Sequence, residues 1–306
     1  MLKAFEHLLD IGSLEDSQLN ALLDLAHKIK SDPEAYRNAC EGSLSVNLFY
    51  EPSTRTRFSF EIAARRLGMQ VVNFSAAASS VSKGETLIDS FKTIQAMNPD
   101  IIVFRHPDNG AAADIAVHAL PGTHVINAGD GSRAHPSQAL LDMMTLQQHF
   151  DDLSQISVLI AGDLQHSRVT QSNVEAMRKL GVGEIRLASP ANLRPGEDTL
   201  MGTVLFDHLD DALKDVDVVM MLRIQSERLC DTEVPDQASF HRDWGLTSER
   251  LKQAKPDCLV MHPGPMNRGV EITSEVADGP QSVILQQVAN GVFTRMAILH
   301  AMSTTS

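Results

Sequence analysis

Short apolar runs alternate with helical patterns along most of the chain. Predicted strands cover residues 45–49, 71–74, 101–104, 124–127, 156–161, 184–188, 216–221 and 258–261. Predicted helices cover residues 86–97, 137–150, 168–180 and 281–302. Short buried strands that alternate with helices are typical of βαβ units and of parallel sheets. The sequence therefore predicts an α/β fold built on parallel strands.

The length of the chain raises the question of domain number. Its 306 residues suffice for two domains, and the predicted strands could form one wide sheet or two smaller ones. The polar stretch HFDDLSQ at 149–155 is predicted to join two halves with about four strands each. We expect two doubly wound parallel-sheet domains, 1–148 and 149–285, with the C-terminal helix 286–306 packing back on the first domain.

Composition excludes several classes of function. A formal net charge of -13 disfavours nucleic acid as a partner. We find no apolar run of about 18 residues, so no membrane span is expected, and the N-terminus lacks the apolar region of a signal peptide. Cys40, Cys230 and Cys258 stand far apart, which argues against a disulfide framework and a zinc site. We therefore expect a cytoplasmic protein with no metal and no cofactor.

The stretch FYEPSTRTRFSFE at 49–61 has the pattern of a strand that turns into a helix. Pro52 ends the strand, and Ser53 suits the N-cap position of the helix that follows. The first helical turn has main-chain amides without intrahelical partners, together with two threonine hydroxyls and a guanidinium. Such donors at a helix N-terminus are typical of a phosphate site. The same pattern is also typical of an ordinary capped helix with solvated arginines.

Two further polar residues follow predicted strands. Arg105 comes directly after strand 101–104, and His135 lies between strand 124–127 and the helix that begins near Ser137. Ligands of open α/β sheets bind at the carboxyl ends of the strands. We therefore expect both residues to lie near residues 53–56, which we call the phosphate turn. Taken singly, Arg105 could form a surface ion pair and His135 could be a structural residue at a helix start.

Several motifs together resemble one enzyme family. The segments STRTR at 53–57, KGETL at 83–87 and HPSQ at 135–138 resemble the aspartate and ornithine carbamoyltransferases. RIQSER at 223–228 and HPGPMNRGVEI at 262–272 extend the resemblance over essentially the whole chain. The resemblance implies a carbamoyl phosphate domain, an amino-acid domain and an interdomain active-site cleft. A dinucleotide-binding dehydrogenase is disfavoured because no GxGxxG motif follows a predicted strand.

The acceptor amino acid follows from charge. Arg168 and Arg223 come after predicted strands, with Gln225 nearby, and two arginines suit a dicarboxylate such as aspartate. The HCLP signature of ornithine enzymes is absent. The resemblance thus implies that carbamoyl phosphate and L-aspartate give N-carbamoyl-L-aspartate and phosphate, the second step of de novo pyrimidine (UMP) biosynthesis. A carbamoyltransferase with another acceptor, of the ornithine type, and a non-catalytic homologue remain as alternatives.

The resemblance also implies roles for individual residues. The residues implied to bind carbamoyl phosphate are Ser53, Thr54, Arg55, Thr56, Arg105, His135, Gln138, Pro263, Gly264 and Pro265. Those implied to bind aspartate are Lys83, Arg168, Arg223 and Gln225, and those implied in catalysis are Arg55, Thr56, Lys83, Arg105 and His135. The Gly264–Pro265 bond is a candidate cis peptide, because such a turn can direct carbonyl groups into a site.

The resemblance further implies an assembly. Ser79 and Lys83 would reach the site of the neighbouring subunit, so that the active sites are shared in a homotrimer. The sequence HPGPMNRGVEI at 262–272 looks like that of transcarbamylases which associate with dihydroorotase-type chains. We therefore expect a larger assembly with a dihydroorotase-like or regulatory chain.

Overall fold

The computed structural model describes residues 5–75, 86–225 and 236–303. The chain divides into two compact units. The first unit comprises Met1–Met144 and Ala289–Ser306, and the second comprises Thr145–Val288. Each unit contains one sheet, so the described strands form two sheets rather than one.

The strands are short and the helices lie between them in the sequence. The strands are β1 (Leu44–Phe49), β2 (Gln70–Ser75), β3 (Ile101–His106), β4 (His124–Asp130), β5 (Ser157–Gly162), β6 (Glu184–Ala188), β7 (Val204–Phe206), β8 (Val218–Leu222) and β9 (Leu259–Met261). The helices are α1 (Asp16–Ser31), α2 (Thr54–Arg66), α3 (Leu87–Gln95), α4 (Ala111–Ala116), α5 (Pro136–Gln147), α6 (Arg168–Lys179), α7 (Glu197–Leu200), α8 (Leu209–Leu213), α9 (Gln237–Trp244), α10 (Ser248–Leu251), α11 (Ser274–Ala277) and α12 (Ile284–Ser303).

The first unit is built on a four-stranded sheet in the order β2-β1-β3-β4. Every strand pair in it is parallel. Strand residues such as Leu48, Ile102 and Phe104 are buried with Phe91 of α3 and Ile115 of α4 in one apolar cluster. Runs of apolar residues in the central strands are what a parallel sheet with helices on its faces requires.

The outer edge of β4 is covered by the N-terminal segment. The amide of Leu8 donates to the carbonyl of Val125 at 2.9 Å, and the amide of Asn127 donates to the carbonyl of Leu8 at 2.8 Å. Leu8 itself is fully buried. This pairing satisfies main-chain groups that an edge strand would otherwise expose.

The second unit is built on a five-stranded sheet in the order β7-β6-β5-β8-β9, again with only parallel pairs. Its core joins sheet residues such as Leu159 and Val219 to Phe240 and Trp244 of α9. The expected architecture of two parallel α/β sheets is confirmed. The prediction of about four strands in this half was one strand short, because β7 was not among the predicted strands.

Two kinds of feature are absent from the described residues. None of the described helices is both long and apolar enough to cross a membrane. Within the same residues, no group of three or more His, Cys, Asp or Glu side chains is placed to hold a metal ion.

Candidate active site

The phosphate turn and Arg105 lie where the strand order of the first sheet reverses. The chain runs from β1 outward to β2, and then returns to the other side of β1 to form β3 and β4. Neighbouring parallel strands β1 and β3 therefore direct their carboxyl ends, and the loops after them, to the same edge. Such a switch point is where open α/β sheets bind ligands.

The phosphate turn itself forms the start of α2. Ser53 is the N-cap residue, with extended φ and ψ angles of -157° and 92°. Its side chain makes no capping hydrogen bond within the described structure, so it does not occupy the first-turn amides as an N-cap serine often does. Thr56 is buried, whereas Thr54 and Arg55 are exposed. The turn thus offers main-chain and side-chain donors, at the positive end of the helix dipole, to an anion.

Arg105 connects the loop after β1 with β4. One terminal nitrogen of its guanidinium is paired with the carboxylate of Glu51. The other, Nη1, donates to the carbonyl of Ala128 at 3.2 Å. Its side chain is 11% exposed, so this ion pair is largely shielded from water. The contacts fix the guanidinium beside the phosphate turn, because Glu51 precedes that turn by two residues.

His135 and Gln138 lie at the start of α5, and both are buried. The loop before them is held by the buried carboxylate of Asp130, which accepts from the amides of Gly110 at 3.0 Å and Ala134 at 3.2 Å. Gln138 Nε2 donates to Asp142 Oδ1 at 3.0 Å, one helical turn further along. The loop after β4 therefore presents an imidazole and an amide on a fixed support.

A buried arginine of α12, Arg295, contacts both α2, which begins at the phosphate turn, and α5, which begins after His135. Arg295 Nη2 donates to the hydroxyl of Ser137 in α5 at 3.3 Å, and the guanidinium lies 5.1 Å from the ring centre of Phe60 in α2. Burial lowers the pKa of Arg295 to about 10, while the charge of Asp142 raises it. Arg295 thus stays protonated at neutral pH. Nothing in the sequence distinguishes it from a surface arginine, because its partners come from distant segments.

Arg168 and Arg223 lie at the corresponding switch point of the second sheet. The strand order reverses between β5 and β8, which are parallel neighbours. Arg168 is the first residue of α6, after β5, and it is buried. Arg223 follows β8 and is half-buried, with Nη1 donating to the carbonyl of Ile224 at 3.3 Å. Two cationic groups therefore stand at one edge of the second sheet.

The loops that carry these arginines are joined by Asp163, which is fully buried. Its carboxylate lies 2.9 Å from His166 Nδ1 in the loop before α6 and accepts from the amide of Gln225, after β8, at 3.1 Å. Gln225 Nε2 in turn donates to the carbonyl of His166 at 2.9 Å. Asp163 is not among the site residues predicted from the sequence. The signal for it was available, since it is an aspartate directly after an apolar strand.

The segment HPGP follows β9, the strand next to β8. The Gly264–Pro265 peptide bond is cis, as the sequence analysis suggested. Pro263 and Gly264 are half-buried and Pro265 is exposed. The predicted residues Ser79 and Lys83 lie outside the described residues.

Fold and site together define a class: an α/β protein of two parallel sheets, each with cationic and polar donors at its switch point. The chain belongs to the aspartate/ornithine carbamoyltransferase family. Residues 6–148 match the model of the aspartate/ornithine carbamoyltransferase carbamoyl-P binding domain, and residues 154–302 match that of the Asp/Orn binding domain. The predicted family resemblance is confirmed.

Individual relatives cover nearly the whole chain. The aspartate carbamoyltransferase catalytic subunit of Stenotrophomonas maltophilia strain R551-3 is 50% identical over 301 residues, which are 97% of this chain and 95% of the relative. Aspartate transcarbamoylase from Trypanosoma cruzi, in complex with carbamoyl phosphate and aspartate, has a TM-score of 0.88 and 30% identity, over 98% of this chain and 97% of that one. Ornithine carbamoyltransferase from Thermus thermophilus has a TM-score of 0.86 and 26% identity, over 98% and 99% of the two chains.

Proposed function

We propose that this chain is an aspartate carbamoyltransferase, which converts carbamoyl phosphate and L-aspartate to N-carbamoyl-L-aspartate and phosphate and so serves pyrimidine biosynthesis. The observation that carries the proposal is the placement of the phosphate turn and Arg105 at one switch point and of Arg168 and Arg223 at the other. Family membership and the 50% identity to an aspartate carbamoyltransferase catalytic subunit support the choice of reaction.

Carbamoyl phosphate is bound by the donors of the first unit. The amides and hydroxyls of residues 53–56, with the guanidinium of Arg55, hold the phosphate group. Thr56, Arg105 and His135 direct donors at the carbamoyl oxygen, where negative charge grows as the tetrahedral species forms. The side-chain oxygen of Gln138 accepts a hydrogen bond from the carbamoyl amino group. The main-chain carbonyls of Pro263 and Gly264, in the turn that ends at Pro265, accept from the same group.

Aspartate is bound through its two carboxylates. Arg168 and Arg223 pair with them, and Gln225 and Lys83 complete the set. The α-amino group attacks the carbamoyl carbon, the bond from that carbon to the phosphate oxygen breaks, and the departing phosphate accepts the proton. Since no covalent intermediate is required, positioning and electrostatic stabilisation carry the acceleration.

The acceptor is tested by comparing substrates. Carbamoylation of L-aspartate, L-ornithine and N-acetylornithine should show turnover with aspartate alone, and activity confined to ornithine would refute the proposed acceptor. Arg55→Ala should abolish turnover and leave folding largely intact, because Arg55 is exposed. Unchanged turnover in that variant would remove Arg55 from the catalytic set.

We also infer two domains, residues 1–148 and 149–285, with the helix 286–306 returning to the first. We further infer a cytoplasmic homotrimer with shared active sites, in which Ser79 and Lys83 act in the site of the neighbouring subunit. Light scattering should give three times the chain mass of 33.4 kDa. Mixing inactive Arg55→Ala and Lys83→Ala chains should restore activity, because a hybrid trimer contains sites that lack neither side chain. No recovery after verified subunit exchange would rule out sharing. The same mass measurement with an added dihydroorotase-type chain tests the larger assembly.

A further inference from the structure

The HPGP turn of the second unit begins with a buried histidine, His262, and is followed by a buried glutamate, Glu271. We propose that His262 and Glu271 are positioning residues which set the direction of the Pro263 carbonyl and thereby recognition of the carbamoyl amino group. The inference rests on the proposed function, because that function assigns the carbonyl its ligand. His262 is 2% exposed and Glu271 is 0% exposed, so neither side chain is a solvated surface group.

The hydrogen bonds of His262 determine its tautomer. The amide of Gly264 donates to Nδ1 at 2.8 Å, and a main-chain N–H can only donate. Nδ1 therefore carries the lone pair, and the ring proton is on Nε2. Nε2 lies 3.0 Å from Glu271 Oε1 and donates to it. The imidazole is thus neutral, with one nitrogen committed to the turn and the other to the carboxylate.

The amide of Gly264 determines how the main chain of this turn can be held. Proline has no N–H, so in the sequence Pro263-Gly264-Pro265 the amide of Gly264 is the single main-chain donor. That N–H and the carbonyl of Pro263 belong to one planar trans peptide unit, since only the Gly264–Pro265 bond is cis among the described residues. The two groups point in opposite directions. Fixing the N–H on His262 therefore fixes the direction of the Pro263 carbonyl.

Glu271 holds the imidazole and the end of the turn together. Its Oε1 accepts from the amide of Asn267 at 2.7 Å as well as from His262. The amide of His262 donates to Gln287 Oε1, near the start of α12, at 2.9 Å. The segment from residue 262 to residue 271 is therefore closed by side chains at both ends. Oε1 of Glu271 alone carries these contacts, since Oε2 is buried without a hydrogen-bond partner in the described structure. A buried polar network of this kind restricts the geometry of the groups it joins.

Two substitutions of His262 separate its two hydrogen bonds. In His262→Asn, the side-chain oxygen lies close to the position of Nδ1 and still accepts from Gly264, whereas the bond to Glu271 is lost. In His262→Gln, the longer amide still donates to Glu271, whereas the acceptor for Gly264 is lost. The matched control is His241→Gln. His241 Nδ1 lies 3.0 Å from the carbonyl of Val270, beside Glu271 and outside the turn at 262–265.

The measured quantities are the KM of carbamoyl phosphate, the KM of aspartate and the inhibition constant of inorganic phosphate. His262→Gln should raise the KM of carbamoyl phosphate about tenfold, the effect of one lost hydrogen bond. His262→Asn should raise it about threefold at most, and the control should leave it unchanged. The inhibition constant of phosphate should stay within about twofold in all variants, because phosphate lacks the carbamoyl amino group.

The outcomes separate the inference from the proposed function. A wild-type chain that does not carbamoylate aspartate removes the proposed function, and the inference falls with it. An active wild type whose KM for carbamoyl phosphate is equal in His262→Gln and His262→Asn overturns the inference alone. A phosphate inhibition constant that rises in parallel with that KM also overturns the inference, because the substitution then weakens phosphate binding and not only recognition of the carbamoyl amino group. If His262→Gln does not fold, two other variants test the inference: His262→Asn, and Glu271→Gln, which keeps an acceptor oxygen. Both must keep the KM of carbamoyl phosphate within about threefold of wild type. A larger rise of this KM in either variant refutes the inference.

Discussion

Replacing Arg295 by methionine tests whether the guanidinium inside the first unit stabilises it. Methionine fills a similar volume but cannot donate to Ser137 or interact with the ring of Phe60. It also removes the positive charge that faces Asp142, whose carboxylate is fully buried. The carboxylate then remains in a medium of low dielectric constant with a neutral hydrogen-bond donor, Gln138.

The expected loss of unfolding free energy is about 3 kcal/mol, the lower end of the range for a buried charge that loses the opposite charge compensating it. We take the lower end because Gln138 still bonds to Asp142. The double variant Arg295→Met with Asp142→Asn should lose only about 1 kcal/mol, since no buried charge is left uncompensated. The matched control is Arg66→Met. Arg66 lies over the ring of Phe293 but is exposed, so its loss should cost about 0.5 kcal/mol.

Urea unfolding followed by two probes provides the assay. Far-UV circular dichroism reports on both units, whereas the single tryptophan, Trp244, reports on the second. A loss of about 3 kcal/mol should move the dichroism midpoint of the first unit by about 1 M urea. An unchanged midpoint in Arg295→Met, or a double variant as unstable as the single one, would refute the role assigned to the buried pair.

Three further outcomes are expected. Asp163→Asn should raise the KM of aspartate about tenfold, measured by steady-state kinetics, because a carboxylate that organises the loops after β5 and β8 is lost. Lys255→Met should destabilise the chain by about 1 kcal/mol at pH 7. Lys255 pairs with Asp217, whose pKa lies below its ordinary value of 3.8: burial raises this pKa, but hydrogen bonds from Lys255 and Ser157 outweigh burial. The contribution of ionised Asp217 to the unfolding free energy is therefore present above pH 3.8 and lost as the pH falls below that value. The difference in urea midpoint between Lys255→Met and wild type should shrink below pH 3.8 as well. Burial raises the pKa of Cys258 to about 12 and raises that of Cys40, so peptide mapping at pH 8 should show both thiols alkylated at least tenfold more slowly in the folded chain than in urea.

The central strands could be predicted from the sequence because most of their residues are apolar, although β1 contains Ser45 and Asn47 and β6 contains Glu184 and Arg186. Strands β1, β3, β5 and β6 begin and end within two residues of the predicted limits. Strand β7 could not be predicted in this way, because it has three residues and its first, Val204, is 44% exposed. A short strand at a sheet edge lacks the continuous apolar run that marks a buried one.

The site could be predicted as far as its motifs extend. The phosphate turn and Arg168 follow strands, and strand ends can be read from apolar runs. Arg105 was predicted to follow a strand but lies inside β3, because that strand continues past its apolar run to His106. Most supporting residues could not be found in this way, because their roles depend on partners far away in the sequence. Asp163, which directly follows β5, is the exception. Arg295 meets Ser137, which lies 158 positions earlier, and nothing local to either residue encodes that contact.

The division of the first unit between the two ends of the chain has a consequence for biosynthesis. A ribosome releases residues in order, and domains fold as units during synthesis. The second unit, Thr145–Val288, is continuous and can fold once its own residues have emerged. The first unit begins to emerge earlier but lacks Arg295 and the rest of its α12 segment until the whole second unit has been synthesised. The unit that begins to be synthesised first is therefore the last to be completed, and chains truncated after residue 288 and released from the ribosome should contain a folded second unit beside an incomplete first one.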